Sequence, residues 1–213
     1  MSQREHIIEQ AAQMFAELGV KSIRMDDIAQ SLGVSKRTLY ELFADKEELL
    51  YLCVDYLHHK QIAAMERECS TLTDKLEAMF VGFRMMLAGA ESHHRMMSNI
   101  QKFYPAIFER LRLEHAKEGM SRLRSMLVEL IDAGLIEKRV DVDLSVTIFY
   151  YTVTVVFGRQ NNMALPEGVT QKDALMYSIV NFFRGIATVE GIHRIDMLKE
   201  RYKIGNLERK LYS

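Results

Sequence analysis

Only two prolines, Pro105 and Pro166, interrupt the 213 residues of this chain, and glycine adds just 11 flexible positions. An all-β fold needs many tight turns and therefore many such residues, whereas long helices need few. Apolar residues make up 48% of the chain and charged residues 27%, a composition typical of folded globular proteins and not of disordered ones. The chain is therefore expected to be all-α.

Apolar residues recur with helical spacing along most of the chain, and capping residues mark where the helical segments begin and end. The pattern predicts helices over 4–18, 25–32, 36–43, 45–69, 76–87, 93–101, 105–134 and 170–189, with a final short helix after 193. The clearest loop of the second half is expected at 161–168, which contains Pro166.

The segment from Val146 to Val156 is where local propensity opposes a helix. It is rich in β-branched and aromatic residues, and Thr152 to Val155 alternates in polarity, which favours a strand. A single strand would have no partner elsewhere in the chain, and a helix buried on most sides has the same composition. We therefore expect a helix here.

Motifs for catalysis and metal binding are absent from the sequence. It contains no nucleophile elbow, phosphate-binding loop, zinc-protease motif or dinucleotide fingerprint, so no catalytic residue and no cofactor is expected. Cys53 and Cys69 lie too far apart on a continuous helix to bond. The pairs His58-His59 and His93-His94 are poor chelators because neighbouring helical side chains diverge, so no metal site is expected.

Charge and hydropathy indicate whether the chain enters a membrane and whether its N-terminal region is basic. The longest uncharged run, Leu144 to Gly158, is too short to span a membrane, and the charged N-terminus is unlike a signal peptide. A cytoplasmic protein without a membrane partner is expected. The first 50 residues hold six basic and nine acidic residues, so any DNA binding must depend on where the cations lie.

Residues 25–43, MDDIAQSLGVSKRTLYELF, have the organisation of a helix-turn-helix. Ala29 is small where the two helices cross, and Gly33 lies at the turn, where a positive φ is needed. Four apolar residues are spaced to pack the helices together: Ile28, Leu32, Val34 and Leu39. The second helix begins with cationic and hydroxyl side chains, which suits insertion into the major groove of DNA.

Residues 11–50 resemble the N-terminal domain of the TetR family of transcriptional regulators. The matching elements are Ala12-x-x-Phe15-x-x-x-Gly19, Ile28-Ala29, Leu32-Gly33-Val34-Ser35, Thr38-Leu39-Tyr40, Phe43 and Lys46-Glu47-x-Leu49. Residues 127–158 resemble, more weakly, the part of the family that leads into a dimerising helix. The resemblance implies a homodimer that represses transcription and releases its operator when a small ligand enters the C-terminal domain.

Two positions depart from the family's habit. Arg24 stands where many members have a capping Ser or Thr, and Arg37 stands where many have Gly. Arg24 cannot cap a helix in the same way, although its charge suits a phosphate. Arg37 adds a donor long enough to read guanine in a bidentate manner. Both differences are expected to alter the choice of operator and to leave DNA binding itself intact.

We expect a helix-turn-helix DNA-binding domain over residues 1–46 and a larger helical ligand-binding and dimerisation domain over 47–213. Lys36, Arg37 and Thr38 suit base edges or flanking phosphates, whereas Tyr40 and Lys46 suit phosphates. The full set of candidate contacts to a double-stranded operator is Arg24, Ser35, Lys36, Arg37, Thr38, Tyr40 and Lys46.

The larger domain is expected to bind an unknown small, mainly apolar effector, because eleven of the fourteen methionines lie after residue 46 and methionine suits adaptable pockets. The candidate pocket residues are Met79, Phe83, Met86, Met96, Tyr104 and Phe108. Helices at 143–160 and 170–190 carry more apolar residues than one core-facing stripe needs, which indicates a homodimer. The candidate interface residues are Phe149, Val153, Phe157, Ile179, Phe182 and Phe183.

Two alternatives from other classes stay open at this point. One alternative is an all-helical enzyme, because an active site in a helical bundle need not leave a local sequence motif. The other is a structural dimer that does not bind DNA. Retardation of DNA fragments separates both from the regulator. The sequence also leaves open whether a regulator represses or activates.

Overall fold

The computed structural model describes residues 2–157 and 165–203, apart from the side chains of 90–94 and 155–157. These residues form ten α-helices, and their only β-type pairing is an isolated bridge between Ile136 and Ala187. The helices are α1 (Gln3–Leu18), α2 (Met25–Leu32), α3 (Lys36–Leu42), α4 (Lys46–Cys69), α5 (Lys75–Ala88), α6 (Ala90–Phe103), α7 (Pro105–Asp132), α8 (Val142–Phe157), α9 (Gln171–Ile186) and α10 (Val189–Tyr202). The all-α class is confirmed.

Side-chain caps fix several helix starts. At α1 the Ser2 hydroxyl accepts from the Glu5 amide at 3.2 Å, and the Glu5 carboxylate accepts from the Ser2 amide at 2.7 Å. Thr170 and Asp173 form the same reciprocal pair at α9. Such pairs satisfy amide groups that have no partner inside the helix. Of the loop predicted at 161–168, residues 165–168 form a turn before α9, and 161–164 lie outside the described residues.

The β-branched segment is helical, as expected. It forms most of α8, which runs from Val142 to Phe157. Three of its threonines direct their hydroxyls back to carbonyls four residues earlier: Thr147 to Asp143, Thr152 to Ile148 and Thr154 to Tyr150, at 2.8–2.9 Å. These bonds satisfy the hydroxyls within the helix, so the threonines remain compatible with it despite their strand propensity.

The described residues divide into two compact units. Unit 1 contains residues 2–68 and 88–116, and unit 2 contains 69–87, 117–157 and 165–203. This division differs from the boundary expected at residue 46. The reason lies in the packing: Leu49, Leu50 and Cys53 of α4 are buried in the same core as α1 to α3, and so are Ile100 of α6 and Leu111 of α7.

Candidate nucleic-acid interface

The turn between α2 and α3 has the geometry that the sequence predicts. Gly33 adopts φ 64° and ψ 26°, and the Val34 amide donates to the Ala29 carbonyl at 3.0 Å. Ile28, Ala29 and Leu39 are buried where the two helices cross. A left-handed residue at this place ends α2 and redirects the chain into α3. Residues 25–42 therefore form a helix-turn-helix with one face of α3 exposed.

The first turn of α3 is organised by a cap. The Ser35 hydroxyl accepts from the Thr38 amide at 3.0 Å and lies 2.8 Å from the Thr38 hydroxyl. Both hydroxyls, predicted as DNA contacts, thus also take part in starting the helix. Tyr40, one turn further on, is 51% exposed. Its phenol is therefore free to meet a surface placed against α3.

The two cations at the start of α3 form exposed ion pairs. Lys36 donates to Asp26 of α2 at 2.5 Å, and Arg37 donates through Nε to Glu41 at 2.8 Å. The Lys36 side chain is 64% exposed and that of Arg37 is 88% exposed. Exposed ion pairs contribute only about 0–1 kcal/mol to stability. Both cations can therefore leave these carboxylates for another anion at little cost in free energy. The carboxylates offset much of the positive charge of α3 while no such anion is present.

Arg24 occupies the N-cap position of α2 but makes no side-chain cap. Its backbone amide instead donates to the Asp27 carboxylate at 2.7 Å. The Asp27 carboxylate therefore satisfies the amide of residue 24, which is one half of a capping box, and the other half, which a Ser or Thr side chain at position 24 would supply, is not made. The Arg24 residue is exposed, which is compatible with the phosphate contact predicted for it.

Lys46 is the first residue of α4 and is only half exposed. Its ammonium donates to the Val20 carbonyl at 2.7 Å and lies 5.6 Å from the centre of the Tyr104 ring. The sequence predicted a phosphate ligand at this position. In the structure the ammonium has partners within the protein, so a phosphate contact by Lys46 requires it to leave them.

Two further lysines surround the end of α6, and sequence reasoning missed them. Lys21 lies 4.8 Å from the centre of the Phe103 ring, and Lys102 lies 5.3 Å from it. A lysine beside an aromatic residue was visible at 102–103, but the approach of Lys21 has no local sequence signal. It exists only because the loop after α1 folds against the end of α6.

The six candidate pocket residues fall in different units. Met79, Phe83 and Met86 belong to α5 in unit 2, where Met79 is buried and Phe83 packs against Phe149 with ring centres 5.4 Å apart. The others pack on the core of unit 1: Met96, Tyr104 and Phe108. Met96 lines a cleft of about 530 Å³ in unit 1, together with residues of α1 and α4. The six candidates are therefore divided between the two units, three in each.

The candidate interface residues are mostly core residues of unit 2. Ile179 is 1% exposed and Phe183 is 0% exposed, and the Phe183 ring lies 5.7 Å from that of Phe149. Phe149 is also buried, whereas Val153 and Phe182 are half-buried. Side chains without exposed surface serve the core and leave none for a partner. The side chain of Phe157 lies outside the described residues.

The histidines and cysteines show no metal-binding arrangement in the residues that the structure describes. The ring of His58 stacks on that of His115 with centres 3.7 Å apart, and His115 bonds the Asp55 carboxylate at 3.2 Å. Stacked imidazoles do not converge on a common point, as chelation requires. Burial raises the pKa of the Cys53 thiol, which keeps it in its unreactive form. None of the described helices is long and apolar enough to cross a membrane.

Comparison with known proteins accounts for this arrangement. Residues 7–51 match the family model described as bacterial regulatory proteins, tetR family. The HTH-type transcriptional repressor KstR2 of Mycobacterium tuberculosis is 28% identical over 153 residues, which cover 70% of this chain and 74% of that protein. Residues 7–51 are therefore a DNA-binding domain of the TetR family of transcriptional regulators, and the similarity to a repressor extends over 70% of the chain. The enzyme alternative therefore falls away.

Other similar proteins agree with this assignment of the N-terminal domain. An HTH-type transcriptional regulator of Staphylococcus aureus is 40% identical over 65 residues, which cover 28% of this chain and 35% of that protein. A solved structure of a transcriptional regulator from Cytophaga hutchinsonii superposes with a TM-score of 0.71 at 17% identity, covering 86% of this chain and 98% of that one. At this identity the superposition indicates a shared fold. The matched residues 7–51 include all seven candidate DNA contacts.

Proposed function

We propose that this TetR-family regulator is a homodimeric repressor that binds a palindromic operator through α3 and is released by a small, mainly apolar effector. The observation that carries the proposal is the start of α3, where two cations are held only by exposed carboxylates. The naming of the relative KstR2 as a repressor supports repression over activation.

DNA binding exchanges the ion pairs of α3 for contacts with the operator. Lys36 leaves Asp26 for a phosphate or a base edge, and Arg37 leaves Glu41, which frees its guanidinium for a bidentate contact with guanine. Thr38 and Ser35 hold the first turn of the helix in shape for both. Tyr40 and Arg24 take phosphates on either side, which fixes the register of α3 in the groove.

The dimer is proposed to form through the exposed apolar stripe of α8. Leu144 is 56% exposed, Ile148 is 49% exposed and Tyr151 is 69% exposed, and their spacing puts them on one side of the helix. Tyr177 of α9 is likewise exposed. A second copy covers this surface through a two-fold axis, which gives the two α3 helices that a palindromic operator requires.

We place the effector site in unit 2, beside Met79, Phe83 and Met86. Unbranched methionines adapt their shape at little cost, so this side of the core can open around an apolar guest. The effector lowers operator affinity by the difference between its affinities for the two conformations of the protein. The candidates Met96, Tyr104 and Phe108 lie in unit 1 and are not part of this site.

The test is binding to promoter fragments by fluorescence anisotropy. Lys36→Ala combined with Arg37→Ala should weaken operator binding at least tenfold, because each lost contact contributes about 1–3 kcal/mol. Lys138→Ala combined with Arg139→Ala removes the same charge from exposed positions in unit 2 and is the matched control. Equal losses from both pairs, or none from the first, would contradict the assignment to α3.

A further inference from the structure

Lys46 is surrounded by groups that attract its ammonium within the protein. The Val20 carbonyl accepts a hydrogen bond from it at 2.7 Å, and the ring centres of Tyr104 and Phe15 lie 5.6 Å and 6.0 Å away. Aromatic faces at these distances attract a cation. Lys46 is the first residue of α4 and one of the candidate phosphate ligands. The ammonium that would bind a phosphate therefore already has partners within the protein.

Tyr104 is the group in this set that does not belong to the N-terminal three-helix region. It caps the end of α6, where its amide donates to the Ile100 carbonyl at 2.7 Å, and its carbonyl accepts from the Phe108 amide of α7 at 3.0 Å. These bonds fix its backbone between two helices. A change at the junction of α6 and α7 therefore moves the ring relative to Lys46.

We propose that Tyr104 is a positioning residue for Lys46 and competes with operator phosphate for its ammonium. In the free protein the Tyr104 ring and the Val20 carbonyl hold the ammonium. On DNA the ammonium leaves them for a phosphate, so the junction of α6 and α7 sets how strongly the protein binds DNA. This inference rests on the proposed DNA-binding function and on the phosphate contact that the sequence predicts for Lys46.

If Tyr104 competes with phosphate for Lys46, removing the Tyr104 ring should raise the affinity for DNA. Tyr104→Leu keeps an apolar side chain but removes the aromatic face that attracts Lys46, so DNA binding should become tighter. One partly exposed cation–π contact corresponds to a change of about two- to fivefold in affinity. The gain should be equal for operator and unrelated DNA, because a phosphate contact carries no sequence information. A purely structural role of Tyr104 predicts the opposite, a loss of affinity.

A double-mutant cycle separates this inference from its premise. Lys46→Ala alone should reduce the slope of log affinity against log salt by about 0.9, the value for one phosphate contact. An unchanged slope would overturn the phosphate role of Lys46, and this inference with it. In the Lys46→Ala background, Tyr104→Leu should leave affinity unchanged. If Tyr104→Leu tightens binding equally in both backgrounds, or in neither, Tyr104 does not act through Lys46.

Two variants serve as controls. Tyr104→Phe keeps the aromatic face and should bind DNA as the wild type does. Phe103→Leu removes the neighbouring ring, which faces Lys21 and Lys102, and its effect should be the same with or without Lys46.

NMR spectra of the wild type test the contact without any change at Tyr104. The ε-methylene signal of Lys46, assigned with Lys46→Arg, should lie upfield because of the ring current of Tyr104. The signal should return downfield when operator is added. A signal that stays in place on operator binding would overturn the proposal.

Discussion

Gly191→Ala tests how closely the start of α10 packs in unit 2. A Cβ atom at Gly191 would lie 2.0 Å from the Leu135 carbonyl oxygen and 3.1 Å from the Ala187 Cβ. The first distance is about 1 Å shorter than the shortest that real Cβ atoms show, and the obstacle is backbone, which cannot rotate away. The start of α10 must therefore move away from the turn that follows α7.

The magnitude follows from the bonds that hold this region. The Thr188 amide donates to the Leu135 carbonyl at 3.0 Å, and the Thr188 hydroxyl donates to the Gly134 carbonyl at 2.8 Å. Loss of these two bonds costs about 1 kcal/mol each, and strain from overpacking adds about 1–3 kcal/mol. The better helix propensity of alanine returns up to about 1 kcal/mol. The free energy of unfolding should fall by about 2–4 kcal/mol.

Urea unfolding followed by circular dichroism, at one fixed protein concentration, measures the change. Gly185→Ala in α9 is the matched control, because a Cβ there meets no atom within 4 Å and its φ is not positive. This control should raise the free energy of unfolding by about 0.5–1 kcal/mol. If Gly191→Ala stayed within 0.5 kcal/mol of the wild type, the close approach to Leu135 would be refuted.

Three other perturbations test the interface, the dimer and a contact inside unit 1. Tyr40→Phe should weaken binding to operator and to unrelated DNA alike by about fivefold, the value of one hydrogen bond, and anisotropy that shows a loss for operator alone would contradict a phosphate contact. Leu144→Glu should convert the dimer to a monomer in sedimentation, whereas Leu113→Glu, also at an exposed leucine, should not. The Tyr51 hydroxyl donates to Glu114 and lowers the pKa of that carboxyl below 4.5, so this stabilisation is complete above pH 4.5 and is lost as the pH falls further. Burial, followed by this bond, raises the pKa of Tyr51 from 10.0 to about 12, so stability is also lost as the pH rises between these values, and Tyr51→Phe should flatten both limbs of the unfolding profile.

The helix-turn-helix could be predicted from the sequence because its signals are local. The predicted bounds of 25–32 are those of α2, and α3 ends one residue before its predicted end. Gly33 is the residue that a left-handed turn requires, and Ser35 is a strong N-cap. Each signal lies within a few residues of the structure that it determines, so no distant contact is needed to interpret it.

Which apolar residues are buried and which are exposed could not be predicted in the same way. Phe183 and Ile179 have the same apolar character as Tyr151 and Leu144, but the first two are buried and the last two are exposed. Periodicity identifies an apolar face but not the element that covers it. Tyr104 illustrates the same limit, because its approach to Lys46 depends on the way α6 packs in unit 1.

The pairing of Lys36 with Asp26, and of Arg37 with Glu41, bears on how the protein searches a genome. Attraction to arbitrary DNA grows with the number of unpaired cations that the protein presents. A chromosome offers on the order of 10⁶ to 10⁹ competing sites, so a strongly basic surface would leave few molecules unbound. The carboxylates lower the affinity of the protein for any DNA. Only an operator offsets this loss of affinity, because only an operator makes the specific contacts with its bases. The acidic residues therefore favour selectivity, because they leave more copies of the protein unbound by arbitrary DNA.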